Sequence, residues 1–300
     1  MRVSTNTVSD TIVRQIQQLG SQQAKLQNEV ATGQRISQPE DDPAAVGRVL
    51  NLESELRQVA QYGGNTTAAL NIAQASASGL QGIKKISDRA GELVTLGTGV
   101  LGPDAMNAYA TETNQLIEQA VQAANTSYNG TYIYAGTAVS APPITVQRDA
   151  NGQITSVSYT GNASQAAIPL SEATSVTPST DATTNAGLAD FINHLVSLRD
   201  GLASGDTANV SAVQPGLTTS ENLLVTAISD NGGVQTRIEA SQSQQADRTT
   251  NINQLISGET SADLPSTVVK LNQAQTAYQA ALQSAAMIMK MSLLDYIPAA

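Results

Sequence analysis

Few residues of this sequence have the types and spacing that enzymatic chemistry requires. The chain has a single histidine, His194, and no cysteine. A histidine-activated nucleophile and a zinc site built from histidine and cysteine therefore have too little material. His194 lies beside Ile192 and Leu195 on a predicted helix, so we interpret it as a structural side chain. No glycine-rich phosphate loop follows a predicted strand.

Two groups of acidic residues have a structural interpretation that is simpler than a catalytic one. Asp41 and Asp42 are spaced like paired carboxylates of a glycosidase, but they precede Pro43 at a predicted helix start. Asp is a preferred N-cap and Pro a preferred first helical residue. Asp149 and Asn151 match part of a calcium loop whose remaining acidic ligands are missing, so a β-turn is favoured. We predict no catalytic, cofactor-binding or metal-binding site.

The composition indicates a helical protein with little aromatic packing. Apolar residues make up 40% of the chain and aromatic residues 3%, with no Trp and one Phe. Aliphatic side chains must therefore fill the core, which suits long helix contacts. No apolar run approaches the ~18 residues of a membrane span, and residues 1–6 lack the apolar segment of a signal peptide. The sequence predicts a soluble chain whose export would need another route.

The two ends of the chain are nearly neutral although the formal net charge is −10. Residues 1–40 hold four basic and three acidic side chains, and residues 250–300 hold two and three. A basic nucleic-acid footprint is absent. Because solvated helices usually carry many charged residues, we expect the ends to be buried against other chains.

Both ends carry a seven-residue apolar repeat, which predicts a coiled-coil helix at each end. The first covers residues 8–31 and the second residues 265–296. The first has only three heptads, which is too few for a stable isolated helix, so it needs a partner. The predicted N-terminal seam is Ile12, Ile16, Leu19, Gln23, Leu26 and Val30. The predicted C-terminal seam is Val268, Leu271, Gln275, Tyr278, Leu282, Met289 and Leu293.

Gln23 and Gln275 interrupt these seams with polar side chains. They could form register-setting polar pairs, as single polar seam residues do in coiled coils, or they could be solvated at the rim. The rim interpretation is favoured.

Between the ends, the pattern predicts helices that enclose a short β-rich region. Gly33 is expected to end the first helix, and Asp42 to cap the next. Residues 131–135 suggest a strand, and alternation on both sides of residues 149–152 predicts a hairpin. The remaining helices are predicted over residues 43–96, 104–127, 188–202, 217–228 and 234–256.

The predicted fold is mainly α with a small β-rich insert. The N- and C-terminal regions form a long antiparallel helical bundle or coiled coil, and the β domain lies at its tip. The predicted divisions are an N-terminal assembly helix, 1–40, disordered in the monomer; a helical bundle domain, 41–128 and 186–255; a β-rich insert, 129–185; and a C-terminal assembly helix, 256–300.

Sequence blocks at both ends carry a family resemblance. They are MRVST at 1–5, LQNEVATGQRI at 26–36, DDPAA at 41–45, YQAALQ at 278–283 and SLLDYI at 292–297. With these blocks the chain resembles the flagellin superfamily, and within it the hook-associated proteins of the hook–filament junction. The 129–185 insert adds no motif to the resemblance.

The resemblance implies a structural role outside the cell. Such proteins form a ring between the first hook-associated protein and the flagellin filament. Their terminal helices form an inner coiled-coil layer that is disordered in the free monomer. They are exported unfolded through the flagellar channel without a cleaved signal peptide, and a chaperone holds the C-terminal region. The resemblance implies no cofactor, nucleic acid or membrane.

Two other classes compete with this interpretation. Filament flagellin is the nearer one, but Pro43 after the two aspartates and the SLLDYI block favour a junction protein. A secreted membrane-active translocator would need a strongly apolar helix pair, and the apolar stretch at 97–101 is too short.

Overall fold

Helices dominate the described part of the chain. The computed structural model describes residues 2–294 and the side chains of residues 10–288. Its helices are α1 Arg2–Thr32, α2 Pro43–Gly97, α3 Pro103–Ala124, α4 Ala182–Ser204, α5 Thr207–Thr260 and α6 Leu264–Leu294. Its strands are β1 Ser127–Tyr128, β2 Thr131–Tyr132, β3 Ile144–Arg148, β4 Ile154–Tyr159, β5 Ile168–Pro169 and β6 Ser175–Val176. The prediction of a mainly α fold with a small β region is confirmed. No helix within the described residues is long and apolar enough to cross a membrane.

The connection between α1 and α2 follows from local sequence. Gly33 has a left-handed φ of 70°, and its N–H donates to the carbonyl oxygen of Glu29 at 2.9 Å, which closes the end of α1. The Asp42 carboxylate accepts a hydrogen bond from the Ala45 N–H at 3.0 Å. Pro43 is the first residue of α2. The cap therefore satisfies an N–H that has no partner within the helix.

The chain divides into two compact units. We call residues 1–57 with 249–300 the terminal unit and residues 58–248 the central unit. The boundaries fall within α2 and α5, further from the chain ends than the predicted divisions at 40 and 256. The predicted division at 40 lies in the loop before α2, whereas the one at 256 lies within α5, which continues to Thr260.

The central unit is built on large, fully buried aliphatic and aromatic side chains. Leu80 and Ile83 on α2, Ile117 on α3, and Phe191 and Leu195 on α4 are among them. The helices α3 and α4 pack on each other, and β4 packs on α4. Burial of each such side chain contributes roughly 1.5–3 kcal/mol, so this core stabilises the unit without help from other chains.

The β region consists of three antiparallel strand pairs, β1–β2, β3–β4 and β5–β6. The predicted hairpin is confirmed as β3–β4, in which Val146 pairs with Val157. Its turn is organised by Asp149, whose carboxylate accepts from the N–H groups of Asn151 at 2.9 Å and Gln153 at 2.8 Å. The β-turn interpretation of this motif is therefore confirmed, since its carboxylate is used within the turn.

The strand predicted over residues 131–135 is shorter in the structure, where β2 ends at Tyr132. Tyr134 leaves the sheet and becomes fully buried, and its hydroxyl donates to the carbonyl oxygen of Ser76 at 2.8 Å. Burial of the aromatic ring with a satisfied hydroxyl is more favourable than a longer exposed hairpin. Burial also raises the pKa of the Tyr134 hydroxyl.

The helix break predicted at residues 231–233 is wrong, since α5 continues through it. Two glycines in a helix cost roughly 1 kcal/mol each, but Leu224 and Ile238 on either side are fully buried. Asn231 is buried too, and its side-chain oxygen accepts from the Gln235 amide at 2.6 Å. Burial therefore outweighs the low helix propensity of this segment.

Candidate assembly surface

The two end helices pack against each other within the terminal unit. Contacts join α1 to α6, and Gln34 pairs with Ser261 in an antiparallel bridge. Further along, a Cβ on Gly20 would lie 3.5 Å from the Tyr278 ring. The C-terminal end of α1 thus lies beside the N-terminal start of α6, and the two helices run antiparallel.

The predicted N-terminal seam lies on the less exposed side of α1. Leu26 is buried, with 7% of its surface exposed. The other five are half-buried, and the residues between them are mostly exposed. The half-buried members are Ile12, Ile16, Leu19, Gln23 and Val30.

The residues of the predicted C-terminal seam differ in how exposed their side chains are. Leu271, Gln275 and Tyr278 are half-buried. Val268 and Leu282 remain 41% and 42% exposed. Met289 and Leu293 lie in α6, outside the residues whose side chains are described. The exposure of Val268 and Leu282 in the single chain does not test their place in an assembly seam, which stays a prediction.

Small residues take the place of the two exposed ones. Among the α6 residues whose side chains are described, Thr267, Ala274 and Ala285 are buried. Thr267, Leu271, Ala274 and Tyr278 are spaced by four, three and four residues, and Ala285 lies seven residues beyond Tyr278. The sequence analysis placed Val268 and Leu282 at inward positions. Val268 lies one position further along the chain than Thr267, which is buried instead. Ala and Thr allow closer helix approach, and this explains why they face inward.

A row of exposed apolar residues remains beside the buried side of α6. We call this row the α6 flank, and it consists of Leu264, Val268 and Leu282, each more than 40% exposed. Val269 and Met287 are also exposed. Between residues 264 and 288, Lys270 is the only charged residue. An exposed apolar surface with so little charge is typical of an interaction surface.

A cluster of charged groups joins the two chain reversals of the terminal unit. We call Arg35, Asp42, Arg48 and Glu259 the clasp. The Arg48 guanidinium donates two hydrogen bonds to the Glu259 carboxylate, both at 2.8 Å. The Arg35 guanidinium donates to Asp42 at 3.0 Å and to the Glu259 carbonyl oxygen at 2.8 Å.

Backbone hydrogen bonds run alongside the clasp. The Arg35 N–H donates to the carbonyl oxygen of Thr260 at 2.7 Å, and the Ala262 N–H donates to that of Gly33 at 2.9 Å. The side-chain and backbone bonds together fix the register of α1 against α6 at one point. Sequence reasoning missed the clasp, because Glu259 is more than 200 positions from Arg35 and Arg48. The only signal was the presence of charged residues in chain ends that otherwise carry few.

The loop between α1 and α2 is held by Asp41. Its carboxylate accepts from the Lys25 ammonium at 2.7 Å and from the N–H groups of Ser37 and Gln38, both at 3.0 Å. These contacts, the Lys25 bond first, hold the pKa of Asp41 well below its ordinary value. The Asp41–Asp42 pair thus stabilises a loop and a helix start.

The pKa values of the two acidic groups of the clasp, Asp42 and Glu259, are lowered like that of Asp41. The Ala45 N–H, followed by the Arg35 guanidinium, lowers the pKa of Asp42. The hydrogen bonds from Arg48 lower the pKa of Glu259, and the pKa of Arg48 is raised in return. All three groups therefore favour their charged forms near neutral pH.

The described residues offer little for catalysis. They contain no group of three or more His, Cys, Asp or Glu side chains that could hold a metal ion. His194 is half-buried, with Nδ1 3.4 Å from the Ser220 hydroxyl and its ring against Gly216. This geometry agrees with a packing role.

Comparison with known proteins identifies the N-terminal region. Residues 3–139 match the bacterial flagellin N-terminal helical region. The N-terminal part of this chain is therefore similar to bacterial flagellins. The resemblance drawn from the terminal sequence blocks is thereby confirmed.

A hook-associated relative matches as well. Flagellar hook-associated protein 3 of Salmonella typhimurium is 30% identical over 145 residues, which is 48% of this chain and 46% of that protein. The matched part thus spans about half the length of this curated relative.

Solved structures show the same fold. A candidate flagellar hook-associated protein of Vibrio parahaemolyticus has a TM-score of 0.66 at 16% identity, covering 74% of this chain and all of the other. FlgL of Bacillus cereus has a TM-score of 0.59 at 17% identity, covering 69% of this chain and 99% of the other.

Proposed function

We propose that this protein is a structural subunit of the bacterial flagellum that joins the hook to the flagellin filament. Copies of the chain would assemble by packing their terminal helices, α1 and α6, against each other. The observation that carries the proposal is the match to a hook-associated protein, together with an α1–α6 pair that leaves the apolar α6 flank exposed.

The burial within the terminal unit supports assembly by these helices. Among its described side chains, Leu26 and Ile252 are the only large apolar ones that are buried. Ordering a helix costs about 1–2 kcal/mol per residue in backbone entropy, whereas each buried Leu or Ile returns roughly 1.5–3 kcal/mol. The burial of these two side chains does not offset that cost, and additional burial against neighbouring copies would stabilise the pair.

The remaining parts of the proposal concern partners and location. The subunit would contact the first hook-associated protein on one side and flagellin on the other, in the extracellular flagellum. It would be exported without a cleaved signal peptide, with a chaperone on its C-terminal region. The resemblance of the terminal blocks supports these parts.

A filament subunit is the alternative function, and the match to the flagellin N-terminal region favours it. A gene deletion separates the two. Loss of the junction protein lets unpolymerised flagellin accumulate in the medium, whereas loss of the filament subunit removes flagellin altogether. Cells that lack flagellin in both medium and filament would contradict the junction role.

Complementation of that deletion tests the assembly surface. Val268→Ser with Leu282→Ser removes apolar surface from the α6 flank and is expected to abolish filament attachment while the chain is still exported. The matched control is Val225→Ser, which changes a residue that is 50% exposed on the central unit. Full motility with the flank variant, or equal loss with the control, would contradict this role of the flank.

A further inference from the structure

A surface cavity of the central unit lies between the β5–β6 hairpin and α5. Its volume is about 240 Å³. Leu170 and Val176, both buried, form an apolar wall. The polar lining consists of Ser171, Thr174, Ser175, Arg237, Ser241 and Gln244.

The α5 contribution comes from one side of that helix. Arg237, Ala240, Ser241 and Gln244 are spaced by three, one and three residues, which places them on adjacent turns facing the cavity. The opposite wall is fixed, since the Gln245 amide donates to the Leu170 carbonyl oxygen at 2.8 Å. The guanidinium therefore stands beside a preformed cavity.

Arg237 differs from most basic residues of the central unit. Arg89, Arg148 and Arg199 are each in ion pairs with acidic side chains. Arg237 is exposed and, like Lys85, forms no ion pair or hydrogen bond with the residues the structure describes. Of these two unpaired residues, Arg237 is the one that lines the cavity described above.

The chemistry of the lining selects a carboxylate. A guanidinium presents a planar fork of donors that matches two carboxylate oxygens. The serine and threonine hydroxyls and the Gln244 amide supply further donors, and Leu170 with Val176 can contact a methylene stem. The volume is below the ~300–1,000 Å³ of small-molecule pockets, and it suits one side chain.

We infer that this cavity binds an Asp or Glu side chain of a second copy of this chain. The charge of the protein supports that source, since residues 41–249 carry 19 acidic and 9 basic side chains. Copies brought together would repel each other, and an unpaired arginine in a cavity offsets that repulsion at a defined contact. This inference rests on the proposed self-assembly.

Zero-length cross-linking of the full chain tests the contact. An Arg237→Lys variant keeps the positive charge and provides an amine that a carbodiimide joins to a carboxylate in contact with it. Equal amounts of isotopically labelled and unlabelled chain distinguish links between copies from links within one copy. Lys85, equally exposed and unpaired, is the control inside the same molecule.

We expect labelled-to-unlabelled links at position 237 about tenfold more often than at Lys85, as one charged hydrogen-bonded pair implies. In sedimentation, Arg237→Gln should weaken self-association about tenfold, and Lys85→Gln by less than about twofold. Links confined to one copy, or equal yields at 237 and Lys85, would overturn the inference.

The outcomes separate this inference from the proposed function. Links between copies at other lysines, with none at position 237, would remove the cavity contact and leave self-assembly intact. No link between copies anywhere would overturn the cavity contact, while the deletion experiment would still decide the junction role. Melting curves of each variant confirm that these exposed substitutions leave the fold unchanged.

Discussion

The central and terminal units differ in how much large apolar surface each buries within the chain. In the central unit, Tyr134, Phe191 and Leu195 lie in a core closed to solvent. In the terminal unit, the buried contact side of α6 consists largely of Ala and Thr, and apolar residues such as Val268 and Leu282 stay exposed. One unit completes its core within the chain, and the other leaves apolar residues exposed, as the proposed contacts with neighbouring copies require.

This difference shows how one chain can be both a stable domain and an assembly element. Small inward side chains let α1 and α6 pair closely, but they remove little apolar surface from water. The clasp then sets the register of a pair that burial alone specifies weakly. The large buried side chains are concentrated in the central unit, and exposed apolar residues lie where we propose that the chain assembles.

The largest expected effect is on the central core. Phe191→Ala should lower the free energy of unfolding of the central unit by about 3–5 kcal/mol, since it leaves a cavity at a fully buried ring. Denaturant unfolding followed by circular dichroism measures this. Leu26→Ala, in the terminal unit, should leave that main transition nearly unchanged. An equal shift for both variants would show that the two units do not differ in this way.

A smaller effect is expected where α2 approaches Tyr134. A Cβ on Gly79 would collide with the Tyr134 hydroxyl and lie 3.2 Å from its Cζ, so Gly79→Ala should destabilise the central unit by about 1–3 kcal/mol. Gly82→Ala, on the same helix with nothing within 4 Å, should instead stabilise it by roughly 0.5–1 kcal/mol. Thermal unfolding distinguishes them.

A rescue variant sharpens this prediction. Tyr134→Phe removes the hydroxyl that the new methyl group meets, so it should recover part of the loss in the Gly79→Ala background. No recovery, or the same sign for Gly79→Ala and Gly82→Ala, would contradict the close-contact explanation.

The clasp should control register in the terminal unit with little effect on the central unit. The chain has no cysteine, so Gln34→Cys with Ser261→Cys introduces a unique pair. Antiparallel bridged residues lie within the Cα separation of a disulfide. Glu259→Gln should slow oxidation of this pair, because Arg48 loses its two charged hydrogen bonds to the Glu259 carboxylate. Glu53→Gln, which alters an exposed pair with Arg57 at 3.9 Å, is the control; slowing by both equally would contradict the clasp.

The smallest expected effect is a dependence on acid pH. Asp41 and Asp42 have pKa values below the ordinary 3.8, and Glu259 below 4.5. Their contribution to stability is therefore present above those ordinary values and is lost as the pH falls through the lowered ones. The protection factors of the amide hydrogens in residues 33–48, taken relative to the intrinsic exchange rate at each pH, should fall below about pH 4. Asp41→Asn should show a weaker dependence, and protection factors that do not change with pH in the unsubstituted chain would contradict the assignment.

Local features of this fold could be predicted from the sequence. Gly33, the Asp42 cap with Pro43 and the hairpin around Asp149 each depend on residues a few positions apart, so their signals lie within short windows. The mainly α fold class followed from the apolar periodicity along the chain, and the family resemblance followed from the terminal blocks.

Features that depend on distant packing could not be predicted. The continuity of α5 through Gly232 depends on the burial of Leu224 and Ile238. The choice of Ala274 over Gln275 as the inward residue depends on how closely α1 approaches. The bond between Arg35 and Glu259 joins residues at opposite ends of the chain, and no local pattern marks such a pair.

Hydrogen exchange of the free full-length chain, compared with the assembled state, tests the central claim most directly. We expect strong protection across residues 58–248 in both states. We expect weak protection in α1 and α6 of the free chain, which becomes strong on assembly. Protection of α1 and α6 in the free chain equal to that of the central unit would contradict the account.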